Sequence, residues 1–504
     1  MKRIVLDQPL AWPEVASIAS GAAALELSAA AVARIEAANS IVKAVVAQGI
    51  RGYGVNTGVG ALSDVMIPVE QLRTLSRNIL MSHAVGLGEP LEMAETRAIM
   101  AATVNNFALG FSGVRVAVVQ RIATLLNANC APEVPRQGSV GYLSHRAHIG
   151  LVLIGHGTAV LNGERLPATA ALARLELEPL VLEAKEGLCL VNGTGCATGL
   201  ACLLLERARR LMDWADAVAA LTFETQRGQK SAIAPSSMAL HASPGLHEVA
   251  ITLHNLLQGS GILSAAAGRR TQDALSLRAI PHVHGAVRDV WVDAGKVVNR
   301  ELRSFTDNPT VSGSPEMPEI HSQAHAVAAG VALAMDQLAV ALAELGMNSE
   351  RRLDRMLNPV VSGLPAFLAQ SGGTASGFMI AQYAAVSLVA ENRRLAAPAS
   401  LDGGITSALQ EDMLCHATPA ALKALQIAGN VQKILAIELL AACQSYELLG
   451  AGGMQPAPRT FALYGALRKV IAPYADDRPL GQDIGAAEAF IGASSPAEIL
   501  AEFE

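Results

Sequence analysis

Charged and aromatic side chains are both scarce in this chain. Of its 504 residues, 16% are charged and 4% are aromatic, and the formal net charge is -6. Proteins that bind nucleic acid usually cluster lysine and arginine on one surface, because phosphate contacts supply much of their affinity. The composition therefore argues against that class of function, and we expect no nucleic-acid partner.

Cysteine is scarce as well. The six cysteines include no Cys-x-x-Cys pair and no spacing typical of a disulfide-rich or zinc-binding domain. We therefore expect them to be reduced and mostly buried. They are Cys130, Cys189, Cys196, Cys202, Cys415 and Cys443.

A targeting segment is not visible in the sequence. Residues 1–9 carry charges and a proline where a secretory signal has its apolar stretch. We therefore expect a cytoplasmic protein.

One uncharged run, from Gly187 to Leu205, approaches the length of a membrane span. It contains Asn192, Thr194 and four glycines, which favour a buried loop that enters a core helix. We therefore expect no membrane partner.

Apolar residues make up 51% of the chain, and two series of them recur at spacings of three and four residues. That period is typical of one face of a helix and predicts two long helices. The series are Val327, Val331, Met335, Leu338, Leu342 and Leu345, and Ile427, Val431, Leu435, Leu439 and Ala442.

Glycine-rich loops, by contrast, concentrate before residue 200, at residues 52–60, 138–141 and 193–195. We predict a mainly α protein with a loop-rich N-terminal domain over residues 1–200. A domain built on a central bundle of long helices is predicted over residues 201–504.

The most specific pattern lies at residues 138–155. Residues 138–141 (Gly-Ser-Val-Gly) run directly into Tyr142 and Leu143, and residues 147–148 (Ala-His) follow. These flanks resemble the core signature of the histidine ammonia-lyase family. In that family an Ala-Ser-Gly tripeptide and an aspartate stand between the flanks, and the tripeptide cyclises into the electrophilic methylidene-imidazolone (MIO) that attacks the substrate. Here the tripeptide is absent, and Tyr142 stands at the aspartate position.

The resemblance extends from about residue 52 to about residue 442. So many matches in family order are far more specific than any single motif. The resemblance implies an ammonia-lyase-like fold and a homotetramer whose active sites combine loops from three subunits. The matching segments are residues 53–58, 82–84, 184–194, 272–278, 306–309, 349–352, 376–382 and 410–412.

The resemblance also implies an active site. Tyr53 matches the residue that removes the β-proton of the substrate, and Arg278 matches the one that holds its carboxylate. An arginine fork pairs well with a carboxylate because it can donate two parallel hydrogen bonds. The other implied substrate-binding or catalytic positions are Asn192, Gln272, Gln410, Glu411 and, beside the Tyr53 loop, His83.

Several positions depart from the family pattern, and the departures remove groups that shape or support MIO. We therefore predict an enzyme that uses neither MIO nor another cofactor, and that performs acid/base elimination, isomerisation or cyclisation on a small carboxylate-bearing substrate. Besides Tyr142, the departures are Leu275, His325-Ala326, Ala375, Leu409 and Met413.

Two of the substituted positions, His325 and Tyr142, gain predicted roles, and so does His145. His325 replaces a pocket asparagine, and its imidazole is predicted to assist Tyr53, His83 and Glu411 in catalysis. Tyr142 and His145 are predicted to fill the space beside the substrate and to contact it.

Two alternatives stay open. The chain could be a conventional, histidine-like MIO-dependent amino acid ammonia-lyase whose modified residue is missing from the sequence as written. It could instead be a non-catalytic scaffold or ligand-binding homologue, because a fold can outlive its original chemistry.

Three histidine pairs have short spacings: His145 with His148, His282 with His284, and His321 with His325. Spacings of three or four can bring two rings to one helix face, as a metal site needs. No pair comes with a third ligand in a recognisable pattern, so we predict no metal site.

Overall fold

A computed structural model describes residues 2–450 and 453–502. The chain is mainly helical, which confirms the predicted fold class. The helices are α1 Trp12–Ala19, α2 Ala29–Ala47, α3 Leu72–His83, α4 Met93–Ala108, α5 Val116–Asn127, α6 Ser144–Leu153, α7 Ala168–Arg174, α8 Glu186–Val191, α9 Gly195–Thr225, α10 Pro235–Met238, α11 Pro244–Leu256, α12 Gly261–Ala266, α13 Leu275–Arg278, α14 Ile280–Leu302, α15 Ala329–Leu357, α16 Pro359–Ser362, α17 Met379–Leu395, α18 Ala417–Gly450, α19 Pro458–Arg468, α20 Leu480–Ala493 and α21 Pro496–Ala501.

The strands are short and pair into small sheets. β1 and β2 are parallel, whereas β3–β5, β4–β6–β7 and β8–β9 are antiparallel. The strands are β1 Lys2–Leu6, β2 Ala23–Leu27, β3 Leu87–Pro90, β4 Cys130–Pro132, β5 Pro135–Gln137, β6 Thr158–Leu161, β7 Glu164–Pro167, β8 Thr310–Gly313 and β9 Pro318–His321.

The chain divides into two compact units, each built from separate stretches of sequence. The first unit comprises Met1–Glu206, Ala294–Asp336 and Pro398–Leu422, and the second comprises Arg207–Asp293, Gln337–Ala397 and Lys423–Glu504. This differs from the predicted division at residue 200, which falls inside α9.

Segments late in the sequence belong to the first unit because they form hydrogen bonds with its N-terminal helices. The Asn105 side chain, for example, donates to the Leu302 carbonyl at 2.7 Å.

Helix ends in the first unit are tied together by a buried arginine. The Arg97 guanidinium donates to the carbonyls of Ile18, Ala19 and Leu126 at 2.6–2.8 Å. These carbonyls lie in the last turns of α1 and α5, where carbonyls lack the i+4 donor of a continuing helix. One side chain therefore joins the C-terminal ends of two helices and adds a hydrogen bond to each of three carbonyls.

The β8–β9 hairpin anchors the region that carries Tyr53. Val311 of β8 and Ile320 of β9 pack against the apolar face of α2, which includes Ile41. Val55, two residues after Tyr53, joins the same cluster. Burial of these side chains fixes the loop to a helix and a hairpin at once.

The predicted helical faces are confirmed. Of the two apolar series, every member is buried except Val327, which is half-buried and precedes the start of α15 at Ala329. The run from Gly187 to Leu205 is buried throughout, as predicted. The six cysteines are free and buried, also as predicted.

Three segments are long and apolar enough to cross a membrane by length and composition. Their most apolar windows are 100%, 61% and 78% buried within the chain, respectively. Packing against other helices therefore accounts for most of their apolar surface. The segments are Glu186–Thr225, His325–Leu357 and Ala417–Gly450.

Candidate functional site

The first unit contains a polar cavity of about 970 Å³. Five separate stretches of the sequence, within residues 51–63, 142–143, 188–192, 308–327 and 406–411, line it together with the C-terminal end of α3. Six of the predicted site residues lie on its wall. They are Tyr53, His83, Tyr142, Asn192, Gln410 and Glu411.

The loop that carries Tyr53 is shaped by local hydrogen bonds. Asn56 accepts from the Gly52 N–H at 2.9 Å and donates to the Ile50 carbonyl at 2.9 Å. Gly54 has a φ of +62°, and a Cβ there would lie 2.3 Å from the side chain of Leu188. Only glycine fits this position, because both the backbone conformation and the space exclude a side chain.

The Tyr53 hydroxyl is held at the cavity by the Gly60 N–H, which donates to it at 2.9 Å. Burial raises the pKa of the Tyr53 phenol. The Gly60 hydrogen bond opposes this rise in pKa, and the charge of Glu411 adds to it. The phenol is therefore protonated at neutral pH, and any phenolate formed there is a strong base.

Tyr142 and Glu411 form a second pair on the wall. The Tyr142 hydroxyl donates to Oε2 of Glu411 at 3.1 Å. Burial first, and the Glu411 charge second, raise the pKa of Tyr142 well above its ordinary value. Tyr142 therefore remains a neutral hydrogen-bond donor to the carboxylate.

The backbone around Tyr142 is fixed from both sides. Thr418 donates to the Gly141 carbonyl at 2.9 Å, and the Leu143 N–H donates to the Val191 carbonyl at 2.9 Å. Ser139 donates to the Tyr142 carbonyl at 3.2 Å.

His83 and Asn192 complete the set of polar groups expected here. His83 ends α3, and burial lowers the pKa of its imidazole, opposed in part by the Ile79 carbonyl. It is therefore neutral at pH 7 and can accept as well as donate a hydrogen bond. The Asn192 side chain is buried and donates to the Asn308 carbonyl at 2.8 Å.

Arg278 and Gln272 lie in the second unit and do not line this cavity. With its amide turned to satisfy both donors, Gln272 accepts from Nε of Arg278 at 3.1 Å and from Nη2 at 2.6 Å. A separate cavity of about 520 Å³ in that unit is lined by Leu275 and Ser276, beside Arg278, and by Arg351.

His145 and His325 are not on the wall of the polar cavity either. His145 is fully buried, and its Nε2 donates to the Arg136 carbonyl at 3.2 Å; burial lowers its pKa to about 4. His325 is exposed, with its ring against Phe305 at a centroid distance of 6.5 Å. It belongs to a three-residue turn, and its neighbours Ala324 and Ala326 line the cavity instead.

Sequence reasoning missed several lining residues. Arg51, Asn308, Gln323 and Ser407 all line the cavity. Arg51 directly precedes the Tyr53 loop, and Asn308 belongs to a segment that matches the family. Gln323 and Ser407 carry no local sequence signal, because only the folded loops bring them to the wall.

A comparison with known protein families decides the affiliation. The family model described as aromatic amino acid lyase matches residues 10–469 of the chain. This chain belongs to the aromatic amino acid lyase family.

Individual members of the lyase family agree with this. A histidine ammonia-lyase of Symbiobacterium thermophilum is 42% identical over 489 residues, covering 96% of each chain. The histidine ammonia-lyase structure from Trypanosoma cruzi matches with a TM-score of 0.91 at 34% identity, covering 99% of this chain and 95% of that one. The tyrosine aminomutase structure from Streptomyces globisporus matches with a TM-score of 0.93 at 33% identity, covering 99% and 98%.

These relatives correct one prediction. An enzyme with MIO-independent chemistry was expected from the departures in the sequence. Relatives about 42% identical over nearly the whole chain are named histidine ammonia-lyase, which contradicts that prediction and favours the conventional lyase.

MIO itself does not fit the residues present. Between Gly141 and Leu143 the sequence has Tyr142 alone, so it offers no Ala-Ser-Gly tripeptide to cyclise. We therefore assign roles below only to side chains that the sequence contains, and derive no step through that group.

Proposed function

We propose that this protein is an amino acid ammonia-lyase of the histidine type, with L-histidine as its first candidate substrate. The observation that carries the proposal is the 42% identity, over 96% of the chain, to a protein named histidine ammonia-lyase. The polar cavity supports it, because it brings Tyr53 and Glu411 to one wall.

The proposed reaction is an elimination. The C–H bond at the β-carbon and the C–N bond at the α-carbon break, and a carbon–carbon double bond forms between them. The nitrogen leaves with the electron pair of the C–N bond, and the β-proton goes to a base. No oxidant or reductant is needed.

The cavity residues suit these steps. Tyr53 is proposed to take the β-proton, and Glu411 to receive the positively charged ammonium group. Asn192 and Gln410 are proposed to orient the substrate by hydrogen bonds. His83 is proposed to contact the substrate ring, because a neutral imidazole can accept a hydrogen bond from it.

The substrate carboxylate needs a cation, and we propose Arg278 for this role. Gln272 contacts two nitrogens of the Arg278 guanidinium and so supports its orientation. Because both residues lie outside the first unit, we propose that another copy of the chain supplies them in a homotetramer. The exposure of Leu275, three residues before Arg278, is consistent with a surface that another copy covers.

Ammonia release tests the proposed reaction directly. Purified protein is incubated with L-histidine, and ammonia and the conjugated product are measured. L-phenylalanine and L-tyrosine serve as comparison substrates. Release from L-histidine is expected, and its absence with all three amino acids would contradict the proposal. A β-amino acid product would indicate an aminomutase instead.

The intact mass should be measured on the same active preparation. An excess of about one condensed tripeptide over the 504-residue sequence would show that the conventional group is present. A mass equal to the sequence would show that the catalyst carries only the residues written here.

Mixed oligomers test the sharing of sites. Tyr53→Phe and Arg278→Ala are each expected to be inactive alone. When the two variants are co-expressed with different tags and purified through both, some sites contain neither substitution, so part of the activity should return. No recovery in a preparation shown to contain both chains would contradict shared sites.

A non-catalytic scaffold is the remaining alternative, and saturable binding of L-histidine without turnover would support it. A cytoplasmic location also remains a proposal.

A further inference from the structure

Tyr142 is a polar side chain on the cavity wall whose position is restrained by its surroundings. The residue is only 9% exposed, and it lines the cavity. Hydrogen bonds from Thr418 and Ser139 restrain the peptide groups on either side of it. The phenol therefore has little freedom to leave its place.

Glu411 is held much less firmly. It is half-buried, at the end of a loop, and its backbone is paired with Thr406 through two hydrogen bonds of 2.8 and 3.3 Å. Among residues 2–450 and 453–502, Tyr142 is the side-chain donor to its carboxylate, at Oε2. Oε1 has no donor in that part of the chain.

This arrangement divides the carboxylate between two functions. One oxygen is occupied by a fixed neutral donor, while the other can accept from a ligand. A carboxylate held in this way presents a negative charge at a defined point, and an ammonium group offers three donors to it.

We propose that Tyr142 is a positioning residue that holds Glu411 so that its free oxygen receives the ammonium group of the substrate. This rests on the proposed function, since it assumes that the ligand is an α-amino acid. Tyr142 acts through Glu411 and needs no bond of its own to the ligand's carboxylate or ring.

The test compares ligands with and without the amine in the Tyr142→Phe variant. L-histidine is the first ligand, and 3-(imidazol-4-yl)propionate, which lacks only the amino group, is the second. Removal of the hydroxyl is expected to raise KM for L-histidine about tenfold with a smaller change in kcat. Inhibition by the deamino compound should stay within about twofold of the wild-type value.

Two controls accompany the test. Tyr383→Phe makes the same chemical change at an exposed position in the second unit. It should change neither KM for L-histidine nor inhibition by the deamino compound. In a Glu411→Gln background, Tyr142→Phe should add less than about a twofold loss, because two residues that act as one unit are not additive.

Two results would overturn the inference. One is equal weakening of both ligands, which would mean that Tyr142 contacts the shared parts of the ligand or supports the cavity as a whole. The other is a full further loss from Tyr142→Phe in the Glu411→Gln background. If wild-type protein neither binds nor converts any of the three amino acids, the proposed function itself fails, and that outcome is distinct from both.

Discussion

Two carboxylates, Glu438 in the second unit and Glu411 in the first, differ in burial and in the number of their partners. In the second unit, Glu438 is fully buried and accepts from Thr222, Ser349 and two nitrogens of Arg352, all within 2.5–2.8 Å. In the first unit, Glu411 has one side-chain donor and faces a cavity. The number of protein partners thus separates a carboxylate that stabilises the fold from one that is available to a ligand.

The same contrast holds for histidines. His284 in the second unit is buried, bonded through Nδ1 to Asp216 at 2.7 Å and adjacent to Arg352. His83 in the first unit lines the cavity, and the polar side chain recorded against its ring is Ser82, whose hydroxyl lies 3.0 Å from Nδ1. Burying a charged group costs several kcal/mol in desolvation. A buried charged side chain is therefore expected either to have protein partners or to serve a function.

The largest expected effect is on stability, in the second unit. Glu438→Gln leaves the buried Arg352 guanidinium without a counter-charge, so the free energy of unfolding should fall by about 3–5 kcal/mol. Urea unfolding followed by circular dichroism measures this. A loss below about 1 kcal/mol would mean that the network contributes little to stability.

The next effect is on activity, in the first unit. Tyr53→Phe removes the proposed base, so kcat for ammonia release should fall at least about 100-fold, because general acid/base groups contribute that much or more. The urea midpoint should change little, since the tyrosine hydroxyl accepts one hydrogen bond, from Gly60. If the urea midpoint of Tyr53→Phe fell together with its kcat, Tyr53 would contribute to stability as well, and the contrast with Glu438 would not hold.

A smaller effect concerns pH and His145. Burial holds its pKa at about 4, below the unfolded value of about 6.5, so the unfolded chain binds more protons as pH falls. Stability is therefore present above pH 6.5 and is lost between pH 6.5 and 4, with about 2 kcal/mol lost from pH 7 to 5. Urea midpoints of His145→Gln should fall less steeply over this range than those of the wild type. Equal slopes would show that His145 does not titrate on unfolding.

The smallest effect is expected at an exposed ion pair in the first unit. Glu164 pairs with Arg174, and both side chains are more than half exposed, at 57% and 51%. Glu164→Gln makes the same chemical change as Glu438→Gln, but water and salt already screen this pair. No measurable shift of the urea midpoint is expected, and a shift comparable to that of Glu438→Gln would contradict the argument from burial.

Sequence alone predicted the helices whose apolar residues recur with helical spacing. Leu435 and Leu439 are buried because helical spacing places them on one face. Spacing was a poor guide to sites: His145 and His148 share α6, yet one contacts the Arg136 carbonyl and the other accepts from the Gly86 N–H. Rings on one helix can still take separate backbone partners, so a pair of histidines need not form a site.

The cavity was predictable only through resemblance. No local pattern brings Glu411 to Tyr142, 269 residues away in the sequence, because long-range loop packing decides that contact. The same limit explains why Gln323 was missed and why His325 was expected on the wall that Ala326 occupies.

The segment before Glu411 carries three successive residues in the left-handed region: Ser407, Ala408 and Leu409, with φ of 51°, 50° and 74°. Each costs on the order of 1 kcal/mol in that conformation, so an isolated peptide of this sequence would not adopt it. The Ala61 N–H donates to Ser407 Oγ at 3.0 Å and helps to impose the shape. The position of the Glu411 carboxylate therefore depends on a strained backbone that contact with a second loop stabilises. Replacement of residues 407–409 by glycine would permit the same backbone path but would no longer restrain the direction of the carboxylate.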